Sequence, residues 1–196
     1  MTKYDLVTEA VWLACAIDGE GSVTIYSTEN GHSQQITVAN TKSEFLDRAY
    51  SILSKLGAQH IIRYETCVVI NYREDLLVVL PQILPHLVIE SKIQAAKAIM
   101  AHCKDSLQKE SQKINEYKEL FDAITKHPNI TIPELKQELI WLTRNRLYKL
   151  SNLEQKGYVR GVVNLESLRH TQWIITGKEF DEIDFLNRKR VRKVEI

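Results

Sequence analysis

The stretch that most constrains this chain is Trp12-Leu13-Ala14-Cys15-Ala16-Ile17-Asp18-Gly19-Glu20-Gly21-Ser22-Val23. Its first half is an uninterrupted apolar helical run. It ends in two carboxylates separated by one glycine, and a strand pattern follows at once. A purely structural helix has little reason to deliver acids to one point. Ala14, Cys15 and Ala16 are small enough for a second helix backbone to approach closely. Two such ends packed together bring carboxylates from two chains side by side, an arrangement that repels itself unless a cation is bound.

The rest of the chain limits what this feature can belong to. At 196 residues it makes one large domain or two small ones. No apolar run approaches the roughly 18 residues that span a bilayer. The first residues also lack the basic start and apolar core of a secretory signal, so a cytoplasmic location without a membrane partner is expected. Cys15, Cys67 and Cys103 are far apart, have no zinc spacing and read as reduced thiols. The histidines show no ligand spacing and there is no glycine-rich phosphate loop, so no small-molecule substrate is expected. Charge is unevenly placed. Residues 1–110 carry 10 Lys+Arg against 13 Asp+Glu, and residues 111–196 carry 16 against 12. The basic surplus ends in Arg188-Lys189-Arg190, Arg192 and Lys193.

Thr8 can cap the first helix, which Gly19 and Gly21 then break. Residues 22–27 and 34–40 alternate polar and apolar as half-buried strands around the hairpin signal Asn30-Gly31. A helix over 43–56 has one apolar face and stops at Gly57. Residues 61–64 and 68–72 form a second hairpin. A helix over 76–84 is interrupted at Pro81 and Pro85, and an amphipathic helix runs from Val88 to about Leu107. Two antiparallel hairpins make a four-stranded sheet with helices on one face. The open face then carries Ser22, Thr24 and Tyr26 on its first strand. On the second it carries Gln35, Thr37 and Ala39, or Asn40 if the phase slips by one. Such a surface either faces water or lies in a DNA major groove, where its side chains reach base edges.

Leu13-Ala14-Cys15-Ala16-Ile17-Asp18-Gly19-Glu20-Gly21 resembles the nine-residue motif that names the LAGLIDADG homing endonucleases. The order of elements after it, and Leu84-Pro85-His86-Leu87-Val88-Ile89, are similar to that family as well. The resemblance covers roughly residues 8–107. It implies an α+β fold, the αββαββα saddle, in which the motif helix is the central interface between two halves. A single copy of the motif implies a homodimer, with Ala14, Cys15 and Ala16 at the interface, reading a near-palindromic double-stranded DNA site.

The resemblance also implies chemistry. Glu20 stands where the family holds a divalent metal, Mg²⁺ or Mn²⁺, with the Gly19 carbonyl as a second ligand. Asp18 is expected to cap the helix end or to sit just outside the metal's ligands. Asn40 and Lys42 occupy the region of a polar and a basic residue near the cleaved phosphate. Glu90 stands where the family commonly has a lysine. Either the register shifts so that Lys92 reaches the site, or catalysis is weakened or absent.

From Gln112 to Lys126 the pattern is helical. His127-Pro128-Asn129 breaks it, Thr131 and Glu134 have capping-box spacing, and a short helix covers 133–139. Thr143 is placed to cap a helix over 144–156 closed by Gly157, and residues 158–163 and 172–177 form a hairpin. Three helices and a hairpin, with Leu150-Ser151-Asn152-Leu153 through Val159, resemble a winged helix-turn-helix domain over residues 112–180. Domains of 1–110 and 111–196 follow, the second ending in the basic tail. Arg144, Asn145, Arg146, Tyr148, Lys149 and Asn152 fall on the outer side of the third helix, where they suit base and phosphate contacts. Arg169 and His170 fall at the wing tip. The expected function is a homodimeric, metal-dependent, site-specific DNA endonuclease, organellar if encoded in an intron. The alternatives are a non-cleaving DNA-binding regulator and an intron-RNA maturase.

Overall fold

The computed structural model describes residues 3–28, 31–163 and 171–185, with the side chains of 3, 4, 27, 28, 31, 32, 163 and 171 excepted. It contains two compact units, residues 1–107 and 108–196. The boundary falls inside one helix.

The first unit is α+β. It runs α1 (Lys3–Glu20), β1 (Gly21–Thr28), β2 (Gly31–Ala39), α2 (Ser43–Lys55), β3 (Ile61–Arg63), β4 (Cys67–Ile70), α3 (Arg73–Ile83) and a 3-10 turn (Leu84–His86). The first part of α4 (Glu90–Lys126) completes it. The four strands are antiparallel in the order β1-β2-β4-β3. Val23, Ile36, Val38, Val68 and Ile70 point from one face into a core filled by Leu13, Ala14 and Ile17 of α1, Leu46 and Leu53 of α2, Leu76 and Leu80 of α3, and Ala96 and Ile99 of α4. The period-two alternation of the strands is what sets this sidedness. The hairpin turn at Asn30 lies outside the described residues.

Three helices differ from the sequence reading. Thr8 sits inside α1 rather than at its cap, and α1 continues through Gly19 to Glu20. Gly19 is one residue from that end, where its cost is at most the roughly 1 kcal/mol of a helix interior, and the burial of Leu13, Ala14 and Ile17 outweighs it. Pro81 lies within α3, where buried Leu76, Val79, Leu80 and Ile83 hold the helix across it. α4 is one helix of 37 residues, not two separated near residues 107–112. Gln108-Lys109-Glu110-Ser111 contains neither glycine nor proline, so it ends the apolar stripe without ending the helix. Gly57 closes α2, at φ 101°, with Ala58 N–H donating to the Leu53 carbonyl at 3.0 Å. That left-handed closure is the predicted glycine stop.

The second unit follows α4 with β5 (Ile130–Thr131), α5 (Ile132–Glu138), a 3-10 turn (Arg144–Arg146), α6 (Tyr148–Gln155), β6 (Val159–Val163) and β7 (Thr171–Ile175). Its antiparallel sheet has the order β5-β7-β6. The capping box is present, with Glu134 Oε2 accepting from both Thr131 N–H and Thr131 Oγ1 at 2.7 Å. β5 was not foreseen, being two residues long and ending on the capping Thr131 itself. The 144–156 helix is shorter than expected. Thr143 makes no side-chain cap, and a 3-10 turn precedes α6. Tyr117, Leu120, Ile124, Leu135, Leu150, Leu153, Tyr158 and Trp173 form this unit's core, with Phe185 closing it.

Candidate functional site

An α-helix leaves its last four carbonyls without intrahelical donors. At the end of α1 two of them, Ile17 and Asp18, accept from Lys92 Nζ of α4 at 2.6 and 2.9 Å. In return, Asp18 Oδ2 accepts from the Val88 backbone N–H at 2.7 Å, just ahead of α4. A third constraint comes from Gly21. A Cβ there would lie 2.6 Å from the Thr37 carbonyl oxygen and 2.7 Å from Ile17 Cα, so only glycine lets the chain pass directly from helix to strand. The last turn of α1 is therefore held by α4 and by β2 at once.

This leaves Glu20 exposed, with Oε2 accepting from Asn40 Nδ2 at 2.9 Å. Asn40 Oδ1 in turn accepts from the Lys42 backbone N–H at 2.9 Å. Glu20, Asn40 and Lys42 line one open cleft with Thr37, Ala39 and Cys67. A smaller hollow that also takes in Glu20 is lined by Trp12, Cys15, Ala16, Gly19 and Phe45. Trp12 contacts Phe45 with ring centroids 5.0 Å apart, and the Arg48 guanidinium lies 4.4 Å over the Trp12 ring.

Lys92, which one reading of the sequence brings to the cleaved phosphate, lies at the end of α1 beside Gly19 and Glu20. Its ammonium is engaged by the α1 carbonyls. Glu90 is the first residue of α4 and accepts from Gln94 Nε2 one turn on. A carboxylate at a helix N-terminus is favourable there for reasons unconnected with catalysis. Asp18 serves the helix end, and its second oxygen, Oδ1, is buried without a hydrogen-bond partner.

Among the described residues, no three His, Cys, Asp or Glu side chains cluster closely enough to hold a metal ion. Glu20 and the Gly19 carbonyl supply one carboxylate and one carbonyl. Those are suitable hard-cation donors but only part of the six that Mg²⁺ takes. The fit is partial, leaving the remaining positions to water or to a second carboxylate.

The expected interface residues divide. Ala14 is 0% exposed and Ala16 7%, both inside the chain's own core, because they share a helix face with Leu13 and Ile17. Cys15 is exposed. With Val7 (48% exposed), Val11 (39%) and Gly19 it forms a stripe at four-residue steps, one ridge of the helix. The unpartnered face of α1 is thus the Val7–Val11–Cys15 ridge.

On the sheet, pairing places Ser22 opposite Thr37, Thr24 opposite Gln35 and Tyr26 opposite Ser33, so the five expected strand residues share the open face. Ala39, opposite Cys67, continues that face, whereas Asn40 lies beyond β2 and belongs with Glu20.

In the second unit Lys149 is corrected from exposed to buried, at 2% exposure. Its Nζ lies 3.0 Å from Glu116 Oε2 and 4.3 Å from the centre of the Tyr117 ring. Arg146 pairs with the same carboxylate at 2.7 Å, and Asn152 Nδ2 donates to the Tyr117 hydroxyl at 2.7 Å. Arg144, Asn145 and Tyr148 are exposed. Arg169, His170 and the basic tail lie outside the described residues. Sequence reasoning missed a further group, in which buried Tyr158 donates to Asp184 Oδ2 at 2.6 Å and Lys178 Nζ lies 2.9 Å from the same oxygen. Burial, then the hydrogen bond to Asp184, raises the Tyr158 pKa. Hydrogen bonds from Tyr158 and Lys178 lower that of Asp184. In the first unit burial pushes the Cys103 thiol up to about 11.

No family model matches the chain, and no curated protein matches it. Solved structures similar to it include the homing endonuclease I-CvuI in complex with its target in the presence of Ca. That match has 17% identity over 79% of this chain and 98% of that one, with a TM-score of 0.43. Others are the homing endonuclease I-TnaI (16% identity, 74% and 96% covered, TM-score 0.40) and the archaeal intron-encoded homing endonuclease I-Vdi141I complexed with DNA (16%, 76% and 96%, TM-score 0.40). Likeness of this degree transfers no activity.

Proposed function

We propose that the chain is a homodimeric, site-specific DNA endonuclease of the single-motif LAGLIDADG type, dependent on Mg²⁺ or Mn²⁺. The observation that carries this reading is Glu20. It is an exposed carboxylate at the end of a helix whose neighbouring ridge is apolar and uncovered, and it is oriented by Asn40 in a cleft that also holds Lys42. Packing Val7, Val11 and Cys15 of two copies together would bring two Glu20 side chains to one point and add a second carboxylate to the site.

A divalent cation bound there would supply charge neutralisation at the scissile phosphate and an activated water. Asn40 holds the Glu20 carboxylate in one orientation, and the Lys92–Asp18 clasp fixes the direction of the Gly19 carbonyl. Lys42 offers its ammonium to a phosphate oxygen lying in the cleft. The open sheet face lies against the major groove. The second unit, with its helix, strand, two helices and hairpin, fits a winged helix-turn-helix that lengthens the DNA footprint through Arg144, Asn145 and Tyr148.

One observation favours a second reading, a DNA-binding regulator that does not cut. Lys92 is occupied by carbonyls and Glu90 is acidic, which leaves Lys42 as the cation lining the cleft. Incubating the purified chain with a plasmid library from its native locus separates the two. Sequence-specific cutting that requires Mg²⁺ and stops with chelator supports the endonuclease. Site-specific binding without nicking under Mg²⁺ or Mn²⁺ supports the regulator.

A further inference from the structure

The four strands of the first sheet contain a single Lys or Arg, Arg63, and no Asp or Glu. No lysine or arginine occurs anywhere between Lys3 and Lys42. Arg63 is paired with buried Val68 and so lies on the helix side of the sheet. Its Nε is 3.3 Å from Asp47 and its Nη2 donates to Ser43 Oγ, both on α2. The open face is therefore without charge among the described residues.

That absence bears on base recognition. Guanine is most often read by a bidentate Arg or Lys and cytosine by an acidic side chain, and the face offers neither. What it offers is an amide, the hydroxyls of Ser22, Tyr26 and Ser33, which suit any base, and carbon. Gln35 has the donor and acceptor that match adenine N6 and N7. Ala39 is exposed and Ile62 partly so. The hydroxyl oxygens of Thr24 and Thr37 are buried without partners although both residues are partly exposed, so their hydroxyls are not the groups turned outward. Apolar carbon at a major-groove surface matches the thymine methyl.

We propose that the base pairs lying under this sheet are selected as A·T, with adenine read by Gln35 and thymine by its methyl group against Ala39 and Ile62. The proposal rests on the DNA-binding reading above and names the class of target. Phosphate contacts that carry affinity come from outside this face, since they position the protein without specifying sequence.

The test is selection of duplexes from a randomised library by the full chain. The selected site is then remade with deoxyuridine for thymidine, which removes the methyls alone. The expected result is enrichment of A·T at the positions under the sheet and a loss of about fourfold in affinity per methyl removed, the value of one buried methyl group. Gln35→Arg should move one position toward guanine, a gain that a misfolded variant could not produce. Selection of G·C under the sheet, or no effect of deoxyuridine, overturns this proposal and leaves the DNA-binding reading intact. Failure to enrich any duplex overturns both.

Discussion

Lys92 Nζ lies 2.6 Å from the carbonyl oxygen of Ile17, across 75 residues of chain. That contact closes the helix whose end carries Glu20, so a lysine near the acids holds the helix end in place. Removing it as Lys92→Met leaves two helix-end carbonyls without their charged donor. The expected cost is about 2 kcal/mol in denaturant unfolding, the scale of hydrogen bonds to a charged group. Lys92→Arg should recover part of it. Unchanged stability in Lys92→Met would show that the carbonyls are satisfied by solvent.

The exposed ridge of α1 makes a separable prediction about assembly. Val11→Lys should yield a folded monomer in sedimentation equilibrium, because Val11 is 39% exposed on the uncovered ridge of α1 and lies outside the buried core. Ala14→Lys should instead unfold the first unit, since Ala14 is fully buried in its core. A Val11→Lys protein of unchanged size would place the interface elsewhere.

How far the sequence could foresee this site depends on which residues carry the signal. The strand residues were legible because a period of two assigns each side chain to a face, and the register of β1 on β2 agrees with it. The face of α1 was not. A helix that is apolar all round has no polar side to set its phase, so Ala14, Cys15 and Ala16 looked equivalent although only Cys15 points outward. Lys149 was misplaced for another reason. Its partner Glu116 is two helices earlier, on α4, and no local pattern marks a lysine that will be buried by a distant carboxylate.

That buried pair is asymmetric. Glu116→Ala strands the ammonium of Lys149, 2% exposed, without a counter-charge and should cost roughly 3 kcal/mol, as removal of one partner of a buried pair does. Lys149→Met leaves Glu116 with Arg146 and should cost much less. Equal losses in the two variants, measured by urea unfolding, would contradict the assigned burial.

Asp184 gives the second unit a pH dependence. Its pKa is lowered in the folded protein by hydrogen bonds from Tyr158 and Lys178, so the folded state binds fewer protons there than the unfolded one. The resulting stabilisation is fully present above the ordinary carboxylate pKa and is lost as pH falls through the lowered value. Asp184→Asn should therefore be less stable than the wild type near neutral pH, and the gap should close in acid. A gap that widened on acidification would reverse the assignment.

The central claim is that Glu20 belongs to a metal-dependent cutting site, and Glu20→Gln tests it most directly because glutamine keeps the shape and removes the charge. Binding and Mg²⁺-dependent cleavage are measured on the same target duplex. The account predicts that Glu20→Gln binds as the wild type does and cuts at least about a thousandfold more slowly, roughly 4 kcal/mol of transition-state stabilisation. Cleavage by Glu20→Gln at the wild-type rate would contradict it.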